Sequence, residues 1–192
     1  MMRIAVLGST RGTSFPSLYQ QLQKRNTQAT IELVVSHRHN AGILEKAKLL
    51  GIQTEFVDPS EMSHRAFEIK LSRVLQHHHI DCVILLGYMR ILSPDFVMTW
   101  RNRILNVHPS LLPAFAGLVS DAVHREVLSS GVKETGCTVH LVTNEVDAGP
   151  ILIQKKCPVL PNDTVESLKA RVQSLEGEAL VEGIEKLEEV MT

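Results

Sequence analysis

Short apolar runs alternate along this chain with longer segments in which apolar residues recur at helical spacing. That alternation predicts βαβ units, and with them an α/β fold built on a mostly parallel, doubly wound, Rossmann-like sheet. Arg3–Leu7 reads as the first strand, followed by a small-residue loop, Gly8–Thr13, and a helix from about Phe15. Pro16 suits that helix's first turn, where a missing N–H costs nothing. Ile31–Ser36 is the second strand, Asn40 the expected cap of a helix over Ala41–Leu50, and Gly51 its stop. A third strand, Gln53–Val57, precedes a helix over His64–Gln76. Cys82–Leu86 is apolar at every position, the pattern of a central strand covered on both faces. A short helix, Pro94–Trp100, then leads into a fifth strand, Ile104–His108. Beyond it the pattern changes: Cys137–Val142 and Ile151–Val159 read as two strands joined by the loop Thr143–Pro150. An amphipathic helix from about Val165, capped by Thr164 or Asp163, closes the chain, and the stretch 115–127 is assigned no element.

Composition narrows the function classes. A length of 192 residues, 44% of them hydrophobic and 21% charged, fits one globular domain over 1–192 without repeats or linkers. The formal net charge of −1 comes with no basic stretch, so nucleic acid is not the expected partner and a small molecule is. Three cysteines, none in a CxxC pair, do not make a disulfide framework, and Cys82 and Cys137 lie in apolar strand-like runs. A reducing, cytoplasmic location is therefore expected. The apolar run at the N-terminus is too short for a signal peptide, and no stretch is long enough to span a membrane. Monomer and homodimer both stay open.

Candidate chemistry gathers where a parallel sheet places its sites, at strand ends. Gly8-Ser9-Thr10-Arg11-Gly12-Thr13-Ser14 joins a strand to a helix, so its backbone N–H groups and the helix N-terminus can face an anion. Any tight turn of this kind also uses small residues, and neither a GxGxxG nor a GK[ST] spacing is present. Asn106 and His108 share one strand face by period two, setting an amide donor beside a titratable imidazole. Such a pair also serves simply to cap a loop. The Thr143–Pro150 loop offers Glu145 and Asp147. A carboxylate beside His108 would raise its pKa and order the water or amine it serves; Glu145 reads as a solvated turn residue, Asp147 as the functional one. The His77-His78-His79 tract reads as surface histidines, because consecutive helical residues do not converge on one ion, and no metal is expected.

Taken together, "GYMRILSP", "ILNVHPSLLPAFAG", "TGCTVHLVTNEVDAGPI" and "ARVQSLE" resemble the folate-dependent formyltransferase family, and within it the glycinamide ribonucleotide formyltransferases. The resemblance implies transfer of a formyl group from 10-formyltetrahydrofolate to the amine of glycinamide ribonucleotide, a step of purine synthesis. It assigns Asn106 to the tetrahedral oxyanion, and His108 paired with Asp147 to stabilising the intermediate and relaying protons. Gly12, Thr13 and Ser14 would hold the ribotide phosphate, with Ser14 capping the helix, and Gln173 and Glu176 would lie near the ribotide. Met89, Arg90, Ile91 and Leu92, with Asn106 and the Thr143–Asp147 loop, would form the folate pocket. A folate-contacting arginine would be Arg65, with His64 as the rival alignment.

Two departures from the family pattern stand out. Thr10-Arg11 and Ser14 occupy a loop that is usually richer in glycine and ends in Asn, and Phe115–Val127 replaces the usual run, with His124 matching an expected histidine. Within the family, formyltetrahydrofolate hydrolase and methionyl-tRNA formyltransferase share this chemistry but are expected to carry further domains. A non-catalytic nucleotide-binding module is the alternative outside it.

Overall fold

The alternating runs form one seven-stranded sheet in this computed structural model, which describes residues 1–25 and 27–191. In chain order the elements are β1 (Met2–Leu7), α1 (Phe15–Lys24), β2 (Ala29–Ser36), α2 (Gly42–Leu49), β3 (Gln53–Phe56), α3 (His64–His77) and β4 (Cys82–Leu85). They continue with α4 (Pro94–Thr99), β5 (Ile104–His108), α5 (Asp121–Ser130), β6 (Glu134–Leu141), β7 (Ile151–Pro158) and α6 (Val165–Met191). The strand order is β3-β2-β1-β4-β5-β6-β7. The first five of these pair in parallel, whereas β6 runs antiparallel to β5 and β7 to β6.

Strand periodicity divides the core into two layers. Ile4 and Val6 of β1 pack beneath α1, α2 and α6, while Ala5 and Leu7 pack beneath α3 and α4. β4 lies in the middle of the sheet with every residue buried, as its unbroken apolar run requires. Burial also pushes the Cys82 and Cys137 thiols up to about 12, which makes them inert packing groups. On α3, Phe67, Leu71 and Leu75 recur every fourth residue and form its buried stripe, and Ser63 caps the helix by accepting the Ala66 N–H at 3.1 Å.

Two local expectations change, and one left between two residues is decided. Asn40 does not cap α2: the preceding residue is Ala41, without a side-chain bond, and the Ile43 N–H donates instead to the Thr10 carbonyl at 3.2 Å. A neighbouring loop thus does the work of a cap. The stretch left without an element overlaps α5, whose Val123 and Val127 form a small core with Leu168; two apolar residues are too weak a period to read in advance. At α6, Thr164 is the cap. Its hydroxyl accepts the Ser167 N–H at 3.2 Å while the Ser167 hydroxyl accepts the Thr164 N–H at 2.9 Å.

Topology places the site. The chain leaves β1 toward β2 and β3, then returns to lay β4 on the other side of β1. Loops after β1 and β4 therefore part from one another and open a crevice at the strand ends.

Candidate active site

A cleft of about 1010 Å³ occupies this crevice and continues over β5 toward α6. Its first wall is the loop from β1 to α1. Gly12 has φ +62°, and a Cβ there would lie 2.5 Å from the Cβ of Ile43, so only glycine lets the loop cross α2 so closely. The N–H groups of Gly12, Thr13 and Ser14 donate to no group among the described residues. Free amides at a helix N-terminus form a cradle for an anion. Ser14 does not cap α1 as expected: its hydroxyl donates to the Glu176 carboxylate on α6. Glu176 is 7% exposed; burial pushes its carboxyl up, with the Ser14 bond pulling the other way. Gln173, one turn earlier on α6, lines the same end of the cleft.

Asn106 and His108 project from β5 on the face opposite Leu105 and Val107, which belong to the α1–α2–α6 core. Asp147 comes from the hairpin loop between β6 and β7. Because β6 is antiparallel, this loop starts beside Ile104, at the other end of β5 from His108. It folds back along the strand until Asp147 Oδ2 lies 3.3 Å from His108 Nδ1. Asp147 holds φ +54°, a left-handed conformation that Asp tolerates better than most residues and that often marks a functional position. Its carboxylate also accepts the Gly117 N–H at 2.9 Å and faces Asn106 Nδ2 at 3.5 Å.

Electrostatics at this centre pull in two directions. His108 Nε2 lies 3.1 Å from the Phe115 carbonyl, so both ring nitrogens face oxygen acceptors, which suits an imidazolium. Burial disfavours that charge and wins: His108 is held below its ordinary 6.5, with Asp147 and the Phe115 carbonyl opposing and His140 adding to the depression. For Asp147, burial raises the pKa, but the Gly117 amide and His108 help to hold it below the ordinary 3.8.

His140 is the residue that sequence reading missed. It is 2% exposed and pairs across the sheet with Asn106. Its Nε2 lies 3.2 Å from Asn106 Nδ2 and 3.6 Å from Asp147 Oδ1. The ring nitrogen can accept from the amide or donate to the carboxylate, not both, and the shorter contact identifies it as the acceptor. That choice also lets Nδ1 donate to the Leu141 carbonyl at 3.0 Å. The signal was present in the period-two placement of Thr138 and His140, but its meaning depended on an antiparallel register that sequence did not supply.

The opposite wall is the Gly87–Ser93 loop. Ser9, buried beneath it, accepts the Met89 N–H at 2.8 Å and donates to the Gly87 carbonyl at 3.1 Å. Beyond Met89 the N–H groups of Arg90, Ile91 and Leu92 donate to no described group, and Ile91 is 72% exposed. Tyr88 Oη and Arg90 Nε are buried without a hydrogen-bond partner among the described residues. Such a wall offers unsatisfied polar groups beside apolar surface, as pockets for flat heteroaromatic ligands do. Thr143 closes the rim on the facing loop.

Arg65 is not part of this cleft. Its side chain is 80% exposed and 3.9 Å from Asp95, while His64 pairs with Glu68 at 3.1 Å. Both stand on the first turn of α3, outside the lining of the cleft. His124 on α5 does line the cleft, buried and with Nδ1 unpartnered. No group of three or more His, Cys, Asp or Glu side chains among the described residues is arranged to hold a metal, and no helix among them is long and apolar enough to cross a membrane.

Known proteins share both the sequence and this arrangement of elements. The sequence profile of the formyl transferase family matches residues 2–184. Phosphoribosylglycinamide formyltransferase of Escherichia coli (strain K12) is 38% identical over 176 residues, 91% of this chain and 82% of that protein. Trifunctional purine biosynthetic protein adenosine-3 of Gallus gallus is 43% identical over 179 residues, 93% of this chain and 18% of that protein, so the chain spans under a fifth of that relative's length. The crystal structure of glycinamide ribonucleotide transformylase 1 from Symbiobacterium toebii superposes with a TM-score of 0.90 at 41% identity, covering 96% of this chain and 86% of that one.

Proposed function

This chain belongs to the formyl transferase family, and from that premise we propose that it transfers the formyl group of 10-formyltetrahydrofolate to the amine of glycinamide ribonucleotide, a step of purine synthesis. One observation carries the reading: Asn106, His108 and Asp147 meet at the floor of a single cleft, between a cradle of free amides and a wall of unsatisfied backbone donors. The cleft volume of about 1010 Å³ accommodates two ligands side by side. The amide cradle fits the ribotide phosphate, and the Tyr88–Leu92 wall, with its orphaned Tyr88 Oη and Arg90 Nε, fits a pterin ring.

With the substrates so placed, the ribotide amine lies against the formyl carbon above β5. As the C–N bond forms, the formyl oxygen takes up negative charge, and the Asn106 amide donates to it. The amine must lose a proton and the folate N10 must gain one as its bond to the formyl carbon breaks. His108 carries that proton from one nitrogen to the other, and Asp147 fixes the ring and stabilises its transient charge. No net proton is consumed.

Consumption of formyl folate with appearance of formylated ribotide is the direct test. Consumption that does not require the ribotide would identify water as the acceptor and a hydrolase instead. Binding of ribotide without turnover would identify a non-catalytic module.

The phosphate assignment predicts that an acceptor lacking the phosphate has a KM about 100-fold higher or more, since two charge-assisted hydrogen bonds are worth about 1.5–3 kcal/mol each. Equal KM values for the two acceptors would remove the anion site. Gly12→Val is a poor probe of that site. It forces a side chain into Ile43 and is expected to lower the melting temperature by several degrees, weakening both substrates rather than the ribotide alone.

A pH prediction follows from His108. If its neutral form starts the reaction, kcat/KM rises with pH through the depressed pKa, so the acid limb should lie below 6.5. Asp147 raises that pKa, so Asp147→Asn should move the limb to still lower pH. A limb at or above 6.5, or an upward shift in the variant, would contradict this assignment. The same depression makes the unfolded chain bind the His108 proton more readily, so this contribution to stability is lost as pH falls below 6.5.

A further inference from the structure

We propose that Glu68 is a positioning residue for the formyl donor, setting the shape of the Gly87–Ser93 wall from α3 through its contacts with Ser93. The inference rests on the reading above that this wall receives the folate.

Glu68 is 4% exposed, in the same turn of α3 as the core residue Phe67. A buried carboxylate is costly unless both oxygens are engaged. Here Oε1 accepts the Ser93 N–H at 2.8 Å and Oε2 accepts the Ser93 hydroxyl. The one ion-pair partner among the described residues is His64, on the same helix, 48% exposed and 3.1 Å away. Both oxygens are therefore committed to a single residue outside α3, and that residue ends the cleft wall. Ser93 in turn caps α4, its hydroxyl oxygen accepting the Phe96 N–H at 3.2 Å.

The wall is consequently held at two points by buried polar side chains, Ser9 at its start and Glu68 at its end. Between them Arg90, Ile91 and Leu92 make no backbone hydrogen bond to any described residue. Their course is set by the two anchors, by Leu92 packing against the α3–α4 core, and by the Phe67 ring beneath the Arg90 guanidinium at 4.5 Å. Removing Glu68 frees the far anchor. The Gly12–Ser14 cradle, fixed instead by α2 and α6, is untouched.

The test uses the full chain with Glu68→Ala, Glu68→Gln and Ser93→Ala, assayed against both substrates and by amide hydrogen exchange. Glu68→Ala should raise the KM for 10-formyltetrahydrofolate about tenfold or more, the scale of a hydrogen bond to a charged group. The KM for the ribotide and kcat at saturating donor should stay within about twofold, and exchange should quicken at the Met89 amide, held by Ser9, as well as at Ser93, but not in β4. Glu68→Gln should recover most of the loss, because its carbonyl still accepts the Ser93 N–H while its amide faces the hydroxyl oxygen. Equal rises in both KM values, or a lower melting temperature with an unchanged donor KM, would overturn the proposal and leave Glu68 as a tie between α3 and α4. Should Glu68→Ala fail to fold, Ser93→Ala decides: it keeps the N–H bond, loses the hydroxyl, and an unchanged donor KM there is equally fatal. A parent protein that does not consume formyl folate would sink the functional reading, and exchange in 87–93 would still decide whether Glu68 holds the wall.

Discussion

Asn106→Ala should lower kcat about 100-fold or more, since one preorganised oxyanion donor is worth about 3–4 kcal/mol in such a site. Asn106 stands beside His108 on β5, with its amide nitrogen 3.2 Å from His140 Nε2 and 3.5 Å from Asp147 Oδ1. The longer contact is the weaker, so the hydrogen facing Asp147 is the one a developing oxyanion can take over. His140 keeps the other and thereby fixes the amide plane. Truncation removes the donor and leaves His140 Nε2 and Asp147 Oδ1 to face water or each other. Side-chain loss at a half-buried strand position should cost stability modestly, so the melt serves as a control. Turnover near that of the parent, in a variant that melts normally, would take Asn106 out of the mechanism.

His108→Ala and Asp147→Asn should each cost about 1000-fold or more in kcat, and the double variant should be little worse than the more damaging single one. The carboxylate acts through the imidazole: it sits 3.3 Å from Nδ1 and is itself held by the Gly117 N–H at 2.9 Å. Once the ring is gone, the orienting group has nothing to orient. Asn is the substitution of choice at Asp147 because the left-handed backbone, φ +54°, accepts it with little strain. Asp147 also touches His140 and Asn106, so Asp147→Asn reaches the oxyanion donor as well as the base. A small further loss in the double variant is compatible with that geometry. Fully additive losses in log kcat would mean that His108 and Asp147 do not work together, whatever their distance.

Much of the fold followed from periodicity that needs no tertiary information. An unbroken apolar run placed β4 at the centre of the sheet, and period two set Asn106 and His108 on a common face. The small-residue loop before α1 carried the mark of an anion cradle because free amides there depend only on local backbone geometry. The fold class and the two ends of the site are properties of sequence stretches a dozen residues long.

What closes the site is not local. Asp147 reaches His108 only because β6 turns antiparallel and its loop folds back along β5, and the same register sets His140 against Asn106. Ser14 looked like a helix cap, yet its hydroxyl is claimed by Glu176, 162 residues away, because α6 crosses the head of α1. Glu68 shares the buried face of α3 with Leu71 and Leu75, three and seven residues on, but only the packed chain sets Ser93 there to take its carboxylate. Arg65, offered by alignment of motifs, is exposed beside Asp95 at the head of α3 and does not line the cleft. Periodicity fixes which side of its own element a residue occupies. Strand order, register and the paths of loops decide what that side meets, and a buried polar group takes whichever partner the packed chain leaves within reach.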